Sequence, residues 1–410
     1  MRMTAENVEA RFRASLDKRP GLTLRLDIIN KCNLRCIMCY FSDETVFKRP
    51  TRKMAPQEFR ELYADIAPYV GRVVLSCGDE PLVSNHFPEI LSHLGDGFPE
   101  LEIEFCTNAM LMNARIRSLL IEKGVTHLLL SMDGTTRETL ERIRVGAKFD
   151  KVVANIAALR DLKAEVSSRF PVLVMDYVMM RSNVHETPAF VGLCKRLGME
   201  LIDFRHVIPS VYFDDPDEQL ANHPAVYNHF RRLVLKEARK HKIDVVMPPA
   251  FDLEAPETSG VSVDDFPSVD LSDFESVEPA PHKGELPVPK TFPRRFKARQ
   301  PRGTVAAEFA STYCERPFSE IRIDENQNIK PCAWHHESFG NIEQGDSLAD
   351  AFFGDDFQRL RRHMLRPEGD PGCSGCPIKA QHVRADITQF GRTPRDLLRK
   401  AGNAVRRALG

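Results

Sequence analysis

The chain has 410 residues, 42% hydrophobic and 28% charged, and its 57 Lys and Arg against 58 Asp and Glu leave a formal charge of −1. That balance is enough for a sizeable core in two or three domains. It lacks the basic field a nucleic-acid binder needs and the acidic bias of a solvating tail. No apolar run approaches the roughly 20 residues of a membrane span, and the mixed-charge N-terminus has no apolar signal core. The chain reads as cytoplasmic, with neither a membrane nor a nucleic-acid partner. Thiols stay reduced there, so its ten cysteines are read by their spacing and not as a disulfide framework.

Six apolar, β-branched runs at 22–29, 73–77, 101–106, 127–132, 172–179 and 201–207 read as buried parallel strands. Helical patterns at 56–67, 114–123, 151–163 and 188–197 lie between them, which is the signature of βα units. The expected fold class is α/β. A partial (β/α)6 TIM-like barrel fits residues 1–250 better than a full eightfold barrel, which needs about 250 residues in the barrel alone. A long helix at 220–242 and a short strand at 243–247 close this part. Residues 251–311 change character. The stretch 251–278 carries nine acids and no Lys or Arg, and 283–302 is Pro-rich and basic, so the segment reads as a linker or insertion that buries little. A small α+β unit is expected over 312–385, with a hairpin at 318–332 and a helix at 347–365, and a basic helical tail over 386–410.

Chemistry concentrates where strands end. Cys32, Cys36 and Cys39 follow the first strand with the spacing C-x3-C-x2-C. Three thiolates on one loop cannot complete a closed four-ligand structural site. They can hold three corners of a [4Fe–4S] cube and leave one iron open, as catalytic metal sites do. This loop resembles that of the radical S-adenosylmethionine (SAM) superfamily, with Met38 at its apolar position. In that family the open iron chelates SAM, and reductive cleavage yields a 5'-deoxyadenosyl radical that abstracts a substrate hydrogen. Leu75–Leu82 is similar to the family's Gly-Gly-Glu-Pro loop, although Cys77 and Asp79 stand where glycine is usual. The resemblance implies that Glu80 accepts the SAM amino group. Thr107-Asn108 resembles the family's Thr-Asn-Gly. Ser131 and Asp133 resemble its Ser-x-Asp-Gly segment, whose side chains approach the SAM ribose.

Cys314, Cys332, Cys373 and Cys376 form a second set, C-x17-C followed by C-x2-C. Four cysteines suit zinc or an iron–sulfur cluster. The order resembles the Twitch form of the SPASM extension, which implies one auxiliary, fully protein-ligated [4Fe–4S] cluster. His335 and His336 read as partly exposed loop residues, and Cys106 as a small buried hydrophobe. The architecture is similar to that of deoxy-scyllo-inosamine dehydrogenase. The expectation is a radical SAM oxidoreductase that dehydrogenates or epimerises a sugar or cyclitol, reduced by a flavodoxin or ferredoxin. A peptide-modifying maturase is the rival within the enzymes, and a non-catalytic iron–sulfur or zinc-stabilised protein lies outside them. Arg205 and His206 are the candidate substrate residues, one as a rigid donor and one as a base. A salt bridge to Asp176 or Asp203 is the alternative role of Arg205, and a satisfied structural histidine is that of His206.

Overall fold

The computed structural model describes residues 20–76, 78–252, 260–270 and 316–364, with Leu16, Val277, Cys314, Arg366, 368–374, Cys376 and the backbone of 386–388. Eight strands run parallel in one sheet. Six come from the expected βα series: β1 (Leu22–Leu26), β3 (Val70–Val74), β4 (Glu102–Thr107), β5 (His127–Ser131), β7 (Val172–Met179) and β8 (Leu201–His206). Each pairs parallel with the next. Their apolar runs follow from burial on both faces, as in β7, where seven of the eight residues are buried.

The count exceeds the expected six. β9 (Asp244–Met247) pairs parallel with β8 at one edge, and β10 (Glu320–Ile323) pairs parallel with β1 at the other. β11 (Ile329–Lys330) then turns back antiparallel on β10. Asp324 shapes that turn by accepting from the backbone N–H groups of Asn326 and Asn328, both at 2.9 Å. The hairpin expected in a separate C-terminal unit therefore extends the main sheet. Further contacts tie the two parts together, among them Arg52 Nε to Glu343 at 2.8 Å and Ser347 Oγ to Asp65 at 3.0 Å.

α1 (Glu44–Lys48) lies in the loop after β1 and buries none of its residues, and the outer face is covered by α2 (Pro56–Ile66), α3 (Phe87–Gly97), α4 (Ala114–Glu122), α5 (Arg137–Ile143), α6 (Phe149–Glu165), α7 (Thr187–Arg196) and α8 (Pro224–His241). α9 (Arg316–Ser319) precedes β10. The helix expected at 347–365 is two, α10 (Leu348–Phe353) and α11 (Asp355–His363), because the backbone of Gly354 is extended. A side chain at Gly354 would meet the Asp350 carbonyl at 2.6 Å.

One further expectation changes in the C-terminal half. Residues 386–388 form a strand, β12, antiparallel to β9, and not part of a helical tail; the remainder of that tail lies outside the described residues. Within 251–311, Phe251 packs on Tyr227, Phe266 packs on Phe230, and the Val277 carbonyl accepts from Arg196 at 2.7 Å. The described pieces of this segment touch the barrel's helices at these points and otherwise bury little, with Val277 the one buried residue among the described ones.

One buried acid organises the turn after β5. Glu186 accepts from the backbone N–H groups of Thr135 (2.5 Å) and Thr136 (3.2 Å) and from the hydroxyls of Thr136 (2.9 Å) and Thr139 (2.5 Å). Removing the acceptor leaves these donors unsatisfied, each at a cost of about 1–3 kcal/mol. Glu186→Ala is expected to lower stability by about 3–5 kcal/mol in urea denaturation, and Glu186→Gln by clearly less.

Candidate active site at the carboxyl ends of the strands

The loop after β1 carries Cys32, Cys36 and Cys39. A two-residue ribbon holds it: β2 (Arg35–Cys36) pairs antiparallel with β6 (Arg144–Val145), and Ile37 N–H donates to the Ile143 carbonyl at 2.9 Å. Backbone donors face the sulfurs. Leu34 N–H approaches Cys32 Sγ at 3.4 Å, and the N–H groups of Tyr40 and Phe41 face Cys39. Burial pushes the Cys36 thiol up to about 11 and raises Cys32 and Cys39 as well. Ionising three such thiols together calls for a metal centre, which supplies the missing positive charge. Three thiolates leave a tetrahedral zinc one protein ligand short and match three corners of a [4Fe–4S] cube. Met38 turns from the sulfurs' loop onto a small apolar group of Ile143, Met180 and Val207.

Glu80 sits beside this loop and is 3% exposed. Its N–H donates to the Lys31 carbonyl at 3.0 Å. Its carboxylate accepts from Thr107 Oγ1 (2.8 Å), Asn108 N–H (2.8 Å) and Leu82 N–H (3.2 Å). Burial raises it to about 7 against the pull of those donors. Asn108 Nδ2 reaches Asn33 at 2.9 Å and Cys32 Sγ at 3.9 Å. The Thr-Asn pair thus anchors Glu80 to the cysteine loop. Asp79, in the place of a glycine, accepts from Tyr40 Oη at 2.6 Å and pairs with Arg49 at 3.3 Å. Cys77 lies outside the described residues.

Ser131 ends β5 and Asp133 follows it by two residues. Asp133 is fully buried; its carboxylate accepts from Val178 N–H at 2.8 Å and pairs with Arg144 Nε at 2.7 Å. Its Oδ1 is the atom that accepts from Val178, while Oδ2 faces Arg144 Nε as an ion pair without a hydrogen-bond partner. Ser131 Oγ lies 3.1 Å from Cys106 Sγ, which faces the barrel interior instead of an apolar core. Arg144 was not legible as a site residue. It lies eleven positions beyond Asp133, and only the ribbon brings it to Cys36, 3.9 Å from Nη1 to Sγ.

Arg205 and His206, neighbours on one strand, point to opposite faces of the sheet. Arg205 faces the interior, where Nη2 reaches Asp203 at 2.5 Å and Asp176 at 3.4 Å, so it takes the salt-bridge role while staying half exposed. His206 faces outward onto the rings of Tyr227 (4.6 Å) and Phe251 (5.2 Å), with no hydrogen-bond partner on either nitrogen. It is not a base for the interior.

These two faces titrate in opposite senses. Burial lowers His206 to about 4. Below about 6.5 the unfolded chain takes up a proton that the folded chain refuses, so stability is lost as pH falls from about 6.5 to about 4. Burial raises Asp176 to about 7, with Arg205 opposing the rise and Asp203 and Glu104 adding to it. The folded chain keeps a proton that the unfolded chain has released, so stability is lost as pH rises from about 4 to about 7. Urea midpoints from pH 4 to 8 should show His206→Leu gaining most at the acid end and Asp176→Asn gaining most at neutrality.

In the second set, Cys332 accepts from the N–H groups of Trp334 and His335, and burial raises its thiol. His336 N–H donates to the Gly372 carbonyl at 3.5 Å, joining this loop to the one bearing Cys373 and Cys376. His335 is buried, contrary to the expectation, and its Nε2 lies 3.3 Å from Asp370, which also pairs with His363 at 2.7 Å. His336 is exposed as expected. Ligand atoms of His335, Asp370 and Cys373 lie within 4.8 Å of one another.

Comparison with known proteins agrees with this arrangement. Residues 26–184 match the model of the Radical SAM superfamily. The Fe-coproporphyrin III synthase of Methanosarcina barkeri is 24% identical over 195 residues, 47% of this chain and 45% of that protein. A probable GTP 3',8-cyclase of Methanococcus maripaludis is 23% identical over 229 residues, 54% of this chain and 73% of that one. The chain thus spans about half the length of the first relative. SuiB of Streptococcus suis, solved with S-adenosylmethionine, shares the fold with a TM-score of 0.58 at 13% identity, over 89% of this chain and 81% of that one. The family implies a [4Fe–4S] cluster and SAM. Among the described residues no helix is long and apolar enough to cross a membrane.

Proposed function

We propose that the protein is a radical SAM enzyme that removes a hydrogen atom from a sugar- or cyclitol-type small molecule held in the barrel interior. The observation that carries this reading is Glu80, a buried carboxylate fixed by Thr107 and Asn108 beside the three-thiol loop. When bound, the cluster and SAM supply one-electron cleavage of the SAM C–S bond and a hydrogen-abstracting 5'-deoxyadenosyl radical. Cys32, Cys36 and Cys39 would hold that cluster. Glu80 would accept the SAM amino group, and Thr107 and Asn108 keep its carboxylate in position. Ser131 faces the interior beside Cys106, and Met38 would hold the apolar position of the cysteine loop against Ile143, Met180 and Val207.

Arg205 orients a substrate hydroxyl with its fork of donors. Asp176, raised to about 7 and 3.4 Å from Arg205, takes the hydroxyl proton when the alcohol carbon is oxidised. The remaining electron requires an acceptor. Cys314, Cys332, Cys373 and Cys376 would hold an auxiliary [4Fe–4S] cluster of the Twitch or SPASM kind for that purpose, and a flavodoxin or ferredoxin would reduce the first cluster. The test is release of 5'-deoxyadenosine from SAM by the anaerobically reconstituted protein, with panels of sugars, cyclitols and peptides. Release stimulated by a polyol supports the reading. Release stimulated by peptides alone moves it to peptide modification, and no release with loaded iron removes the enzyme assignment.

A further inference from the structure

We propose that Arg144 sets the reduction potential of the centre held by Cys32, Cys36 and Cys39, with Asp133 as the residue that positions it. The proposal rests on the assignment of those thiols to an iron–sulfur cluster.

The backbone makes the placement. β6 is two residues long, and its register sets Arg144 directly opposite Cys36 on β2. Directly opposed residues of an antiparallel pair have Cβ atoms only about 5 Å apart. From there Nη1 reaches Cys36 Sγ at 3.9 Å. On the other side Nε lies 2.7 Å from Asp133 Oδ2 as an ion pair without hydrogen-bond geometry, and Asp133 Oδ1 is fixed by Val178 N–H at 2.8 Å. The side chains of this ion pair are 12% and 0% exposed, so water screens it little. The turn after Asp133 admits no side chain: a Cβ on Gly134 would meet the Leu140 nitrogen at 2.6 Å.

Other cations of the loop are turned elsewhere. Lys31 Nζ donates to the Phe47 and Arg49 carbonyls, and Arg35 donates to the Ser42 carbonyl and lies over the Phe47 ring. Arg144 therefore brings a fixed positive charge and an N–H donor to a cluster sulfur. Net charge and hydrogen bonds to sulfur are the levers by which a protein tunes such a centre. Reduction adds an electron, so a nearby guanidinium favours the reduced state and raises the potential. The competing view is that Arg144 only neutralises Asp133, in which case its loss changes stability and leaves the potential alone.

The experiment compares the anaerobically reconstituted full chain with Arg144→Lys, Arg144→Met and the paired variant Asp133→Asn/Arg144→Met. The pair removes both charges, so no unpaired buried carboxylate remains. Iron per chain and a potentiometric titration followed by electron paramagnetic resonance, without SAM, are the readouts. At the wild-type midpoint, Arg144→Met is expected to lower the reduced-to-oxidised ratio at least tenfold, about 59 mV for one electron. The paired variant should shift the same way and Arg144→Lys less. Wild-type iron with a wild-type midpoint in Arg144→Met, or in the paired variant if the single one does not load, overturns the proposal. So does failure of all three variants to load iron, which would make Arg144 a structural residue. A wild type that takes up no four-iron cluster overturns the cysteine assignment, and this proposal with it.

Discussion

Replacing Cys32, Cys36 and Cys39 together with alanine is expected to lower the iron of reconstituted protein from about eight to about four per chain, with sulfide falling in parallel. Release of 5'-deoxyadenosine should fall to background. The expected size follows from the separation of the two cysteine sets in the chain, which lets the second load without the first. The loop itself should survive. Its path is set by the β2–β6 ribbon, by Lys31 on two carbonyls and by Arg49 Nε on the Asn30 carbonyl at 3.0 Å, none of which uses a thiol. Wild-type protein with about four irons, all lost in the variant, would leave the first centre and remove the auxiliary one. Dehydrogenation would then lack its electron acceptor, and redox-neutral chemistry such as epimerisation would replace it.

Glu80→Ala should act on folding and on SAM binding at once. Three donors, from Thr107, Asn108 and Leu82, lose a buried anionic acceptor. Hydrogen bonds to charged groups contribute about 1.5–3 kcal/mol, so a loss of about 3 kcal/mol or more in urea denaturation is expected. SAM affinity, measured by equilibrium dialysis on the loaded protein, should fall about 100-fold, the equivalent of one strong charge-assisted contact. Glu80→Gln separates the two effects. It keeps one acceptor oxygen, enough for Thr107 and Leu82 or for Asn108 but not for both, so it recovers part of the stability and lacks the charge that meets an ammonium group. Equal SAM affinity in Glu80→Gln and wild type would remove Glu80 from the binding role and leave it as the brace of the Asn108 turn.

Much of this was legible because the signals were local. The cysteine loop, the Glu80 segment and the Thr107-Asn108 pair each end a strand whose apolar run was plain, and parallel βα order brings strand ends to one rim. What could not be read depends on pairing across distance. Nothing around 144 announces a strand, and Arg144 becomes a site residue only through its register with Cys36. Arg205 and His206 were both read as substrate residues, yet neighbours on one strand face opposite sides, and their partners settle which side is interior: acids for one, aromatic rings for the other. The hairpin at 320–330 was read correctly as a hairpin and wrongly as set apart, since edge pairing with β1 leaves no trace in either segment. Gly354 divides a helix that its apolar pattern runs straight through.

The pairing of β1 with β10 also orders events during synthesis. β1 lies between β3 and β10, and some 300 residues separate Leu26 from its last partner. A nascent chain emerging at about 5–20 residues per second keeps the outer edge of β1 bare for roughly 12–50 seconds after its inner edge can pair. During that interval a strand with open N–H and C=O groups adjoins a loop of three reduced thiols. The edge is a template for wrong pairing, and the thiols are open to oxidation. Chaperone protection and delivery of iron have the same deadline, the arrival of residues 320–323.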